Sequence, residues 1–282
     1  MFGGMSGPTA SDKGILRPQE AARHIDLRRY PVPGPLGRYV ERYWSVHWDL
    51  PEGSSYESVV VPHPCVNLSF MPVLGAEVHG PGQAVSRHPL TGRGRVFGAK
   101  FRPGGFTAFT GIEGTALADW VAGAATVFGP EADALGAVVM GGEDEAGAEA
   151  VTAFLAERMP ERVDERYEEL LRIVTAMLED RSITRVDQVA ARFFTTPKAL
   201  QRLFQTYIGL GPKALICRYR IHDAADRLAT EPDVDLARLA AVLGWSDQAH
   251  FTHDFKDLIG FPPSEYAAQC ASAGRELVMA HR

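Results

Sequence analysis

The sequence predicts an α+β protein. A small antiparallel β-rich domain with helices comes first, followed by an all-α domain of two helix-turn-helix units joined by a long helix. Three observations predict it. Gly and Pro cut residues 31–110 into short pieces rich in β-branched and aromatic side chains. Further on, Tyr167, Leu170, Leu171, Val174 and Leu178 keep helical spacing. One pattern also occurs twice: Leu203-Phe204, Ile208-Gly209 and Pro212 return 51 positions later as Asp254-Phe255, Ile259-Gly260 and Pro263. Strands first and helices later imply α+β or separate domains.

The elements follow in chain order. Met1 to Ser11 is rich in Gly and small residues and lacks the basic start and apolar core of a secretion signal, so residues 1–22 are expected to be a disordered tail. Residues 23–160 are expected to form the β-rich domain. Its strands are predicted at Tyr43–Trp48, Ser58–Val61, Cys65–Phe70, Ala76–His79 and Arg95–Phe101, with turns such as Pro81-Gly82. An acidic helical region then leads through a connecting helix at 161–180 into the paired units at 181–268. Residues 269–282 are expected to be a second tail.

In the first unit, Val186, Val189 and Ala190 suit a short supporting helix. Thr195 or Thr196 can cap the next helix, and Pro197 fits its first turn. Leu200, Leu203, Phe204 and Tyr207 make its buried face, which leaves Lys198, Gln201, Arg202 and Gln205 for solvent or a partner. The joining helix is predicted from about Pro212 to Leu228. In the second unit, Leu236, Leu239, Ala240 and Leu243 are spaced as a supporting helix, and Ser246 can cap the next. Phe251 and Phe255 face inward together, so Gln248, Ala249, Thr252 and His253 fall largely on the other side. Small and polar side chains there can approach base edges. A duplicated helix-turn-helix suggests a chain that reads two segments of one DNA duplex.

The run from Gly244-Trp245-Ser246-Asp247-Gln248-Ala249-His250-Phe251 through Phe255-Lys256 to Gly260-Phe261-Pro262-Pro263-Ser264-Glu265-Tyr266 resembles the signature of AraC/XylS-type transcription regulators. The resemblance covers roughly residues 175–268. It implies two recognition helices entering successive major grooves, with Lys198, Gln201 and Arg202 as the foremost base or phosphate contacts. The alternative is that these residues are only the wet face of a helix. Two positions depart from the family pattern. Phe193-Phe194 stands where a small residue or Gly is usual before the first recognition helix, which implies a differently shaped turn or a register off by one. His253 stands where Arg is common, a shorter and mostly neutral group near pH 7.

The chain's net charge is −6, but the charge is unevenly spread. Residues 181–220 hold eight basic residues against Asp187 alone, whereas 221–266 hold three against nine acidic ones. Phosphate attraction depends on local charge. The first unit is therefore expected to anchor on DNA and the second to contribute through base edges and shape.

For the N-terminal domain the resemblance implies a small-molecule sensor or dimerisation module, with a homodimer and RNA polymerase as further partners. Trp44, Trp48, His63, Cys65, Asn67, Phe101 and Arg102 fit the walls and polar groups of a ligand cavity, and fit an ordinary β-core equally. No His/Cys spacing matches a structural metal site, and no cofactor fingerprint or catalytic motif is present. A DNA-associated enzyme, such as a Cys65-dependent transferase or repair protein, stays open as a second reading. Three widely spaced cysteines suit a reducing cytoplasm, and no apolar stretch is long enough to span a bilayer.

Overall fold

The computed structural model describes residues 14–280 apart from Pro232, with side chains to residue 272. The first half runs α1 Pro18–His24, β1 Asp26–Tyr30, a 3-10 turn Gly34–Arg38, β2 Val40–Asp49, β3 Ser55–Val60, β4 Asn67–Met71, β5 Gly75–His79, β6 Ser86–Thr91 and β7 Arg93–Phe101. Short elements follow: α2 Gly105–Thr110, α3 Gly114–Leu117, β8 Val121–Gly123 and α4 Ala125–Phe128. The remainder is helical: α5 Glu131–Gly141, α6 Asp144–Ala156, α7 Glu165–Glu179, α8 Val186–Arg192, α9 Pro197–Ile208, α10 Pro212–Thr230, α11 Leu236–Val242, α12 Gln248–Ile259 and α13 Pro263–Ala280.

Six strands form one antiparallel sheet in the order β1-β2-β7-β4-β5-β8, and β3 pairs with β6 as a separate ribbon. All five strands expected from the sequence are present. β1, β6 and β8 were not expected, because β1 and β6 are largely polar and exposed and β8 has three residues. Pro89 is tolerated in β6 because, among the described residues, that strand pairs with β3 alone and its other edge is open.

Alternation along β2 sends Tyr43, Ser45 and His47 toward α5 and α6. There Asp144, the first residue of α6, gathers donors from three strands. Its Oδ2 accepts from Tyr30 Oη at 2.7 Å and Ser45 Oγ at 2.6 Å, and lies 2.7 Å from His47 Nε2. Arg95 Nη1 reaches Oδ1 at 3.2 Å. The opposite sheet face carries Trp44 and Trp48, whose rings occupy the space beside their cross-strand partners Gly98 and Gly94. A Cβ on those glycines would fall 2.4 and 2.1 Å from the rings.

The helix-turn-helix units do not form a core of their own. Leu200, Leu203, Phe204, Leu215 and Tyr219 share one core with Phe70, Phe97 and Phe101 of the sheet. Ile221, Leu228, Phe251, Phe255 and Tyr266 share another with Leu16, Val59 and Val61. α10 contributes its first half to one core and its second half to the other. Residues 14–22 therefore differ from the expected tail: Ile15 bridges Val60, Leu16 is buried, and Arg17 N donates to Tyr266 Oη at 3.2 Å. Residues 1–13 lie outside the described residues. Likewise α13 continues past residue 269, with Cys270 buried, where a second tail was expected.

Candidate nucleic-acid interface

The two units repeat with a shift inside the turn. Thr195 N donates to Ala190 O at 2.9 Å, and Trp245 N donates to Ala240 O at 2.9 Å, an offset of 50 positions. From the caps onward the offset is 51, so the second turn holds one extra residue. Thr196 caps α9, accepting from Ala199 N at 3.2 Å. The cap of α12 is Asp247, which accepts from His250 N at 2.8 Å. This corrects the expectation for Ser246, whose hydroxyl instead meets Asp247 Oδ2 and His250 Nδ1. The extra residue lets Trp245 turn inward. Its Nε1 donates to Asp254 Oδ2 at 2.8 Å, and Arg220 lies 3.7 Å over its ring.

Phe194 holds the expected register. It adopts φ 50°, matching Gly244 at φ 83°, and is 98% exposed. Gly244 is required by packing as well as by φ, since a Cβ there would fall 2.4 Å from Thr184 Cγ2. Left-handed backbone costs an L-residue about 1–2 kcal/mol. Phe194→Gly is therefore expected to raise stability by up to about 1 kcal/mol, after the larger unfolded-state entropy of Gly. Gly244→Ala, strained and overpacked, is expected to lower it by about 2 kcal/mol or more. Urea unfolding of both variants checks this, and shifts of the same sign would refute it.

Lys198, Gln201 and Arg202 are exposed on α9, and Gln248, Ala249 and His253 are exposed on α12. Thr252 and Gln205 are half-buried. Gln205 sits in a shallow groove with Arg202, Thr206, Glu113, Thr115 and Arg166, where α9 meets the N-terminal half. That seam is tight. Thr107 Oγ1 donates to Tyr207 O at 3.0 Å, and Tyr207 Oη donates to Asp164, which also caps α7. A Cβ on Gly114 would fall 2.5 Å from Gly209 N.

The charge tally of the first unit shrinks in three dimensions. Arg218 is buried, and Arg220 is spent on Trp245 and on Leu243 O at 2.6 Å. Arg181 pairs with Asp223 at 3.1 Å, and Arg192 with Asp180 at 2.6 Å. Arg185, Lys198, Arg202 and Lys213 remain exposed. In the second unit His250 lies 3.3 Å from Asp254, and His253 lies 3.2 Å from Asp257, so each imidazole has a carboxylate one turn on.

Of the seven residues expected around a ligand, Phe101 is fully buried in the main core and the other six separate into three places. Trp44, Trp48 and Asn67 share a face of the large sheet, where Trp44 Nε1 donates to Asn67 Oδ1 at 3.2 Å. His63 and buried Cys65 lie at the junction with α10, His63 meeting His222 edge-on at 4.7 Å between ring centroids. Arg102 donates through Nε to Gly37 O at 2.7 Å, pinning the 3-10 turn. Among the described residues no cluster of three or more His, Cys, Asp or Glu could hold a metal, and no helix is long and apolar enough to cross a membrane.

Two helix-turn-helix units on one 19-residue connecting helix, behind a β-domain, define a double helix-turn-helix protein. Residues 189–269 match a family model described as a helix-turn-helix domain, and residues 28–122 match a domain of unknown function, DUF6597. The regulatory protein PocR of Salmonella typhimurium is 30% identical over 112 residues, covering 40% of this chain and 36% of PocR. A crystal structure of ToxT from Vibrio cholerae superimposes with a TM-score of 0.37 at 13% identity, covering 86% of this chain and 98% of that one. An unsaturated fatty acid-bound ToxT gives a TM-score of 0.37 at 9% identity, covering 91% and 96%. Residues 189–269 thus carry a helix-turn-helix domain behind a DUF6597 domain, and the chain spans about a third of the length of the regulatory protein it matches.

Proposed function

We propose that the chain is a sequence-specific DNA-binding transcription regulator that places α9 and α12 in successive major grooves, under control of a small molecule held by the N-terminal domain. The observation that carries the reading is the pair of recognition helices with open polar faces on one connector. At about 1.5 Å per residue, α10 is about 28 Å long, close to the ~34 Å repeat of the major groove. Trp44, Trp48 and Asn67 supply an aromatic and polar face for the effector. A homodimer and contact with RNA polymerase extend the same reading.

The Cys65-dependent enzyme is the weaker reading. Cys65 is 2% exposed, and burial pushes its thiol up to about 12, so the thiolate that a nucleophile requires is absent near neutral pH. Selection of bound duplexes from a random pool, followed by gel shift against scrambled controls, tests the proposal. Enrichment of a shared motif longer than one half-site is expected. Binding that stays equal on selected and scrambled DNA would refute it.

A further inference from the structure

We propose that Arg166 of α7 is a further DNA-positioning residue, which holds a backbone phosphate of the duplex read by α9. This deepens the DNA-binding reading above and rests on it. Arg166 lies in neither matched region, falling between residues 28–122 and 189–269. It nevertheless lines one groove with Arg202, Gln205 and Thr206 of α9 and with Glu113 and Thr115. Its charge also reaches Tyr207, the next residue of α9.

The groove continues the reading face of α9. Lys198, Gln201, Arg202 and Gln205 form one helical stripe, and the last two belong to stripe and groove alike. An α-helix with its side chains is about 10–12 Å across, and the major groove is about 12 Å wide. A recognition helix therefore fills the major groove, and a side chain standing beside it meets the sugar-phosphate rim. Charge favours that partner. Arg166 and Arg202 are both exposed, and among the described residues neither guanidinium has a carboxylate within ion-pair distance. Neighbouring carboxylates on this side of α7 are committed elsewhere. Asp164 accepts from Tyr207 Oη and from the backbone N–H groups of Arg166 and Tyr167, and Glu168 pairs with Arg38. Glu165 is exposed but lies outside the groove lining. Among the described residues Glu113 is thus the one carboxylate in the groove, against two guanidinium groups. The forked donors of Arg match the oxygens of phosphate. Phosphate contacts fix register and orientation without reading sequence. Arg166 would therefore seat α9 and leave base choice to Lys198, Gln201 and Arg202.

The test measures binding of the full chain to a selected duplex and to a scrambled one, by fluorescence anisotropy at several salt concentrations. Arg166→Ala is expected to weaken both duplexes alike, by about threefold or more at low salt, and to reduce the salt slope by about 1. Glu113→Gln should tighten both, because it removes the groove's own anion. Arg172 is an exposed cation of α7 that does not line the groove, so Arg172→Ala should leave the slope unchanged. Arg166 is exposed, so its loss should also leave the thermal midpoint in place, which separates a contact from a structural role. An unchanged slope in Arg166→Ala, an equal drop in Arg172→Ala, or a loss confined to the selected duplex would each remove Arg166 from the interface. A wild type that binds both duplexes equally sinks the regulator reading itself. A wild type that discriminates between them, with Arg166→Ala matching it, sinks only this contact.

Discussion

Arg202→Ala is expected to weaken binding to a selected duplex about tenfold or more, while His253→Ala costs less than about threefold. A good bidentate base contact is worth about 1–3 kcal/mol, and loss of a phosphate contact lowers the salt slope by about 1. Arg202 stands exposed on α9 near Lys198 and Gln201, with no carboxylate in ion-pair contact among the described residues. His253 is short, and its Nε2 lies 3.2 Å from the Asp257 carboxylate, which repels phosphate. Asp254 adds further negative charge to the same helix. Fluorescence anisotropy at several salt concentrations measures both affinity and slope. A larger loss from His253→Ala would overturn the ranking of the two units.

Asp144→Ala is expected to destabilise the β-domain by roughly 3–5 kcal/mol, the range for removing one partner of a buried charge network. Asp144 is 2% exposed, and its removal takes the shared carboxylate from Tyr30, Ser45 and His47 together, while Arg95 keeps only its bonds to Val139 O and Gly142 O. Burial alone would raise its carboxyl, but hydrogen bonds from Ser45, Tyr30 and His47 outweigh burial and hold it below the ordinary value. A carboxyl depressed in the folded state stabilises fully above its unfolded pKa, about 4. That contribution is lost as pH falls through the folded value. The gap between wild type and variant, read as urea midpoints, should therefore be constant from pH 5 to 7 and narrow below about pH 4. A gap under 1 kcal/mol at pH 7 would show that the strands and α6 hold together without this residue.

Legibility differed between the halves. The recognition helices could be read because a helix carries its own evidence: inward Phe251 and Phe255, a Gly stop at 260 and Pro at 263 are all local. The cap was misplaced by one residue because Ser246 and Asp247 have equal local claims, and only the inward turn of Trp245 onto Arg220 and Asp254 selects Asp247. β1 and β6 are not legible in the sequence because their exposed polar residues leave no alternation. The candidate ligand residues were a mixed set. Trp44 and Asn67 meet across strands, whereas Arg102 serves the fold and Cys65 faces the junction.

By itself the sequence determined the order of the halves, the two recognition helices and their connector. Each rests on caps, stops and apolar spacing that act within a few turns of chain. Only the tertiary structure decided which charges stay free. Arg181 and Arg192 are neutralised by carboxylates 42 and 12 positions away, and Arg218 and Arg220 are drawn inward. It also decided that the helix-turn-helix units share cores with the β-domain and with residues 14–16. Burial and ion pairing depend on distance in space, and linear spacing does not encode that distance once the chain has folded back on itself.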